Sequence, residues 1–97
     1  MQQIRAAIDA LDWEIIQLLG QRFDYVRAAS KFKTSENSVR APERFQSMLQ
    51  QRREWAQNAG LSADVIEKMY RDLVNYFIEE EMQRFRKLES EKLQNQK

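Results

Sequence analysis

The chain is expected to fold as an all-α protein: a three-helix subunit with a long first helix, paired into an intertwined homodimer. Three observations carry this. Apolar residues recur at alternating steps of four and three, first as Ile4, Ile8, Leu11, Ile15 and Leu18 and later as Leu73, Val74, Phe77, Ile78, Met82 and Phe85. That is the period of an α-helix and not of a strand. Proline occurs once and glycine twice in 97 residues, so little interrupts the periodic stretches. The first stretch is also too long and too apolar for a small monomer, as shown below.

The first helix is placed from about Gln3 to Lys33, a run rich in Ala, Leu, Ile, Gln and Arg and free of proline. At ~1.5 Å per residue it would be ~45 Å long, whereas a compact domain of this size has a radius of gyration of only ~13 Å. Ile16, Leu19, Phe23 and Val26 add a second apolar row beside the first. A helix that is apolar on two sides and overshoots its own globule calls for a second copy. Gly20 costs ~1 kcal/mol relative to alanine in a helix, and would be repaid by close helix approach in a buried seam. The segment Thr34 to Ala41 (TSENSVRA) is polar and rich in turn formers, and is expected to be a mobile loop. Pro42 suits the first turn of a second helix, which carries Phe45, Met48, Leu49, Arg52 and Trp55 and stops at Gly60. Ser62 is placed to cap a third helix running from Ala63 to about Leu88, with Asp64 in its first turn. The organisation expected is one helical domain over residues 1–88 and a frayed, charged tail over 89–97. No internal repeat is present.

Composition narrows the chemistry. Sixteen basic and fifteen acidic residues leave a net charge of about +1, too little for a long-range field toward nucleic acid or an anionic membrane. No stretch approaches a membrane span, and no N-terminal apolar run resembles a signal peptide, so a cytoplasmic location is the default. With neither histidine nor cysteine, a tetrahedral zinc site, a thiolate nucleophile and the usual base near neutral pH are all missing. There is no glycine-rich phosphate loop and no nucleophile elbow. No metal or cofactor is implied. An enzyme built from this chain needs a reaction that uses neither nucleophile nor imidazole.

What remains is a set of charges where helical periodicity demands apolar side chains. The next position on the first seam after Leu18 is Arg22, after which Tyr25 and Ala29 resume it. A guanidinium on a buried seam costs several kcal/mol unless something anionic meets it. Glu81 follows Phe77 and Ile78 and precedes Phe85 at helical spacing, so it stands inside the last stripe, unlike its neighbours Glu79 and Glu80. Arg5, Lys33 and Arg44 complete a cationic set around a pocket for a small anion. Each has a plainer reading. Arg22 and Glu81 could form a salt bridge between helices, and Arg5 has Asp9 at i+4 as a solvated partner. Periodicity alone would put Lys33 on the surface. Arg44 shares a face with Met48, Gln51 and Trp55, as a wall residue would.

The segments IRAAIDALDWEIIQLLGQRFDYVRAASKFK, APER with Met48 following, EWAQNAGL and NYFIEEEM resemble, in order and spacing, the small all-helical chorismate mutases of the AroQ class. They most resemble that family's relatives, the isochorismate-pyruvate lyases of salicylate and siderophore biosynthesis. The likeness covers roughly residues 4 to 85. It implies a homodimer of interlocked subunits with two shared active sites and a cyclohexadiene dicarboxylate, isochorismate or chorismate, as substrate. In each site Arg5 of one subunit would join Arg22, Lys33, Arg44 and Glu81 of the other. Val26, Met48 and Ile78 would form substrate-binding walls. The arginines would hold the two carboxylates with the enolpyruvyl group folded over the ring. Lys33 and Glu81, the catalytic pair, would meet the ether oxygen as negative charge grows there. Such a pericyclic reaction depends on positioning and electrostatics alone.

Two positions depart from the mutase pattern. Many AroQ mutases carry an acid on the second helix that meets the C4 hydroxyl of chorismate, where this chain has Ala41 and Phe45. That favours the lyase branch. The lyases in turn resemble glutamine donors at the position of Glu81, and a carboxyl there donates only when protonated. Two rivals stand beside the lyase: a dedicated chorismate mutase, and a helical dimerisation module whose seam charges merely set register.

Overall fold

A computed structural model describes residues 1–95, and among these every regular element is helical: α1 (Gln2–Ser30), α2 (Glu36–Arg40), α3 (Pro42–Asn58) and α4 (Ala63–Asn95). The chain divides into two compact units. One is Met1–Lys31 and the other begins at Phe32.

The first unit is α1, a single uninterrupted helix. None of its 29 residues is buried. Ile4, Ile8, Leu11, Ile15 and Leu18 are all more than half exposed, while Leu19, Arg22, Phe23 and Val26 are half-buried. Among the described residues, nothing beyond the helix's own backbone lies within 4 Å of where a side chain at Gly20 would begin. The helix ends at Ser30, three residues before the expected Lys33. The Ser30 hydroxyl donates to the Arg27 carbonyl at 2.6 Å, the local competition with the helical ladder that serine is suited to make.

The second unit is a hairpin of α3 and α4 with α2 laid on it. Thr34 to Ala41, expected as a mobile loop, instead contains α2. Ser35 and Ser38 cap each other. The Ser35 side chain accepts from the Ser38 amide at 3.1 Å, and Ser38 Oγ accepts from the Ser35 amide at 3.1 Å. This is a capping box with serine in the place usually held by Glu or Gln. Val39 anchors the turn in the core, 5% exposed, and Arg86 Nε meets Glu36 Oε1 at 3.2 Å. Between α2 and α3 stands Ala41 at φ 40°, ψ 63°. A left-handed backbone is unfavourable for a residue with a Cβ, and more so ahead of proline. Pro42 then opens α3 as expected.

Gly60, at φ 76°, ends the α3 segment. Its amide donates to the Gln57 carbonyl at 3.1 Å, and the Leu61 amide reaches Ala56 at 2.8 Å. The two bonds make a Schellman motif. Ser62 caps α4 through the Val65 amide at 3.3 Å, and Arg53 crosses from α3 to Asp64 at 2.8 Å. Leu49, Met48, Ala56, Phe77, Ile78 and Met82 close the interior. α4 continues past the expected end near Leu88 to Asn95. The sequence beyond Leu88 is charged but contains good helix formers and no glycine or proline, and Lys92 pairs with Glu89 one turn back at 3.8 Å.

Candidate active site

The second unit brings two of the expected residues together. Glu81 lies on α4 between Ile78 and Phe85, and only 9% of it is exposed. Around it Val39, Ile78 and Met82 form a buried cluster against which Phe45, Val74 and Phe85 pack. Oε2 of Glu81 is sealed from solvent and has no hydrogen-bond partner. Burial raises the pKa of this carboxyl, and the positive charge of Lys33 nearby opposes the shift. Desolvation is the larger influence, so the neutral, proton-carrying form is favoured relative to a carboxyl in water.

Lys33 is half-buried, not on the open surface that periodicity alone predicts. α1 ends at Ser30, which frees residues 31–35 to turn, and Lys33 Nζ donates to the Ser38 carbonyl at 3.1 Å. The capped turn of α2 thus holds the ammonium in place. No sequence signal marks this contact, because the acceptor is a backbone carbonyl whose position depends on the serine caps.

The remaining expected residues are distributed between the units. Ile78 (7% exposed) and Met48 (4% exposed) are buried in the second unit, where Arg44 is exposed in the first turn of α3, one turn before Met48. On α1, Arg5 is exposed and Arg22 and Val26 are half-buried. In the stretch where an AroQ mutase would carry its acid, Ala41 forms the left-handed junction and Phe45 packs on the core cluster. Glu43, the one carboxylate there, is exposed. The chemistry available in this unit is therefore a buried acid in apolar surroundings and, within electrostatic reach of it, an ammonium held by a backbone carbonyl.

Known proteins share this sequence pattern. The family model described as chorismate mutase type II matches residues 4–82. A protein of Pseudomonas aeruginosa named isochorismate pyruvate lyase is 43% identical over 86 residues, covering 89% of this chain and 85% of that protein. The T-protein of Haemophilus influenzae is also 43% identical, over 72 residues, which are 73% of this chain but 19% of the T-protein. The matched region contains every residue of the proposed site, from Arg5 to Glu81. The chain belongs to the chorismate mutase type II family.

Proposed function

We propose that this protein is an isochorismate pyruvate lyase, converting isochorismate to salicylate and pyruvate, with weak chorismate mutase activity from the same pocket. The observation that carries the reading is the buried Glu81 carboxyl, unpartnered at Oε2, within electrostatic reach of the Lys33 ammonium that the Ser38 carbonyl holds. Bond cleavage places negative charge on the ether oxygen that joins the enolpyruvyl group to the ring. Lys33 and neutral Glu81 are the two donors for that oxygen. As the C–O bond breaks, one ring hydrogen moves to the enolpyruvyl methylene, so the ring leaves as salicylate and the side chain as pyruvate. No protein group forms a bond to substrate. Rate acceleration then comes from orientation and from donors set in advance, the two resources this chain has.

In this reading Arg22 and Arg44 of one subunit and Arg5 of its partner hold the carboxylates, with Val26, Met48 and Ile78 as apolar walls. The homodimer belongs to the proposal, supported by the exposed apolar row of Ile4, Ile8, Leu11, Ile15 and Leu18 on α1. A cytoplasmic location does too; among the described residues no helix is long and apolar enough to cross a membrane. The absence of an acid at Ala41 and Phe45 favours the lyase over a dedicated mutase.

The test supplies pure isochorismate and pure chorismate separately and follows salicylate fluorescence and prephenate formation. Salicylate should form faster from isochorismate than prephenate forms from chorismate. The reverse order would identify a dedicated mutase. If neither forms, and a stable dicarboxylate analogue leaves the melting temperature unmoved, the chain is a dimerisation module; a ligand site gains stability as RT ln(1 + [L]/Kd).

A further inference from the structure

The α3–α4 hairpin holds a guanidinium that the lyase site does not use. Arg52 is half-buried on α3. Its Cζ stands 4.6 Å from the centre of the Trp55 ring and 5.6 Å from that of Tyr70. Aromatic rings thus attend the cation, a geometry that suits arginine and orients its plane. Its edges are treated differently. Nη1 donates to Gln51 Oε1 at 2.7 Å, but Nε is sealed from solvent and has no hydrogen-bond partner. Leaving a buried donor unpaired is costly, more so for a charged group. This edge lacks only an acceptor.

Arg52 also borders a groove of about 250 Å³, whose other lining residues are Trp55, Ala56, Ala59, Leu61, Ile66 and Tyr70. The lining is apolar except for the guanidinium and the Tyr70 phenol, and it contains no acid. We infer that this groove is a binding site for a small planar aromatic monocarboxylate. The carboxylate accepts from the Arg52 fork once the side chains that cover Nε move aside, and the aromatic body lies along Trp55, Leu61 and Ile66. A dicarboxylate or a phosphate ester would leave charge against apolar walls with no second cation in the lining to meet it. A neutral hydrocarbon would leave Nε unpaired. The inference does not depend on the lyase reading, although the product of that reaction, salicylate, belongs to the class recognised.

Benzoate is the probe, titrated into the ¹⁵N-labelled full chain while the Arg52 Nε–H and Trp55 indole N–H resonances are followed. Both should move saturably, with the Nε–H signal shifting downfield as it gains an acceptor. Benzamide, of the same shape without the charge, should bind at least about tenfold more weakly, the size of one charge-assisted hydrogen bond. Arg52→Lys keeps the positive charge and loses the fork, and should weaken benzoate by a similar factor with its helical spectrum unchanged. The wild-type titration stands by itself if that variant does not fold. The inference is overturned if neither resonance responds, or if benzamide binds as well as benzoate. It is equally overturned if the Nε–H signal is already downfield and insensitive to benzoate, since a carboxylate of a second copy would then occupy the edge.

Discussion

The first 31 residues and the hairpin unit carry the same helical period and place their apolar residues in opposite ways. In the hairpin unit the stripe is closed: Leu49 and Met82 are almost wholly buried, and Phe77 and Ile78 nearly so. In α1 the stripe is equally regular and open, with Ile4, Leu11 and Leu18 each 59% exposed. Fully burying such a side chain is worth roughly 1.5–3 kcal/mol, so an open row of five forgoes most of the free energy its own pattern offers. The contrast teaches that periodicity reveals which face must be covered and not what covers it. It also explains the division of the proposed site. Of the residues proposed, the buried acid and the ammonium lie within the closed unit, and Arg5 and Arg22 lie on the open helix.

The largest effect expected is on assembly. Sedimentation at micromolar concentration should show twice the chain mass, and a double change Leu11→Glu and Ile15→Glu should abolish both the dimer and turnover. Those charges would have to enter a buried seam. A monomer that still turns over substrate at the normal rate would sink the shared-site proposal.

Next in size is Arg22, a half-buried cation of the open unit. Arg22→Ala should remove turnover almost entirely while circular dichroism still reports the helical fold, because its proposed role is to hold a substrate carboxylate. If the variant instead unfolds, and Glu81→Gln in the same chain restores the fold, the two residues form a structural salt bridge.

Lys33 tests the closed unit. Fixed by the Ser38 carbonyl at 3.1 Å, it has the proposed role of meeting charge that appears only as the ether bond breaks. Lys33→Ala should therefore lower kcat by on the order of 10²-fold with a smaller change in KM. A change confined to KM would reduce Lys33 to an anchor for the incoming anion.

The smallest effect is on pH dependence. Burial raises the Glu81 pKa against the pull of Lys33, so the proton is held more firmly in the folded than in the unfolded chain. The stability linked to it is complete below the ordinary carboxylate range and is lost as pH rises through the raised value. Activity should fall over the same limb as the donor ionises, and the chain has no histidine or cysteine to mimic it. Glu81→Gln should flatten both profiles and be the better catalyst at alkaline pH, since an amide donates throughout. A wild type flat from about pH 5 to 9, a range that lies above the ordinary carboxyl value and takes in raised ones, would leave Lys33 as the sole donor.

Much of this was legible where the signal is local. Pro42, Gly60 and Ser62 mark helix ends because each acts on its own backbone, and Glu81 stands out because Phe77, Ile78 and Phe85 flank it at helical spacing. The α2 turn escaped because its caps are two serines in a polar stretch that equally suits a loop. The end of α4 at Asn95 is not legible because a charged, Gln-rich run suits a frayed tail as well as a helix. Arg52 sits in plain view among the apolar positions of α3, yet its chemistry depends on Tyr70, eighteen residues away.

By itself the sequence determined an all-helical chain, the seams, the polar intruders on them, and the absence of a thiol or an imidazole. These follow from side-chain chemistry and a period of 3.6, which need no partner. Only the tertiary structure decided that Lys33 turns inward to the Ser38 carbonyl, that Glu81 is buried with one oxygen unpaired, and that Arg52 stands close to two aromatic rings. Each of these depends on the local dielectric and on groups far apart in the chain, and burial comes into being only when the helices pack.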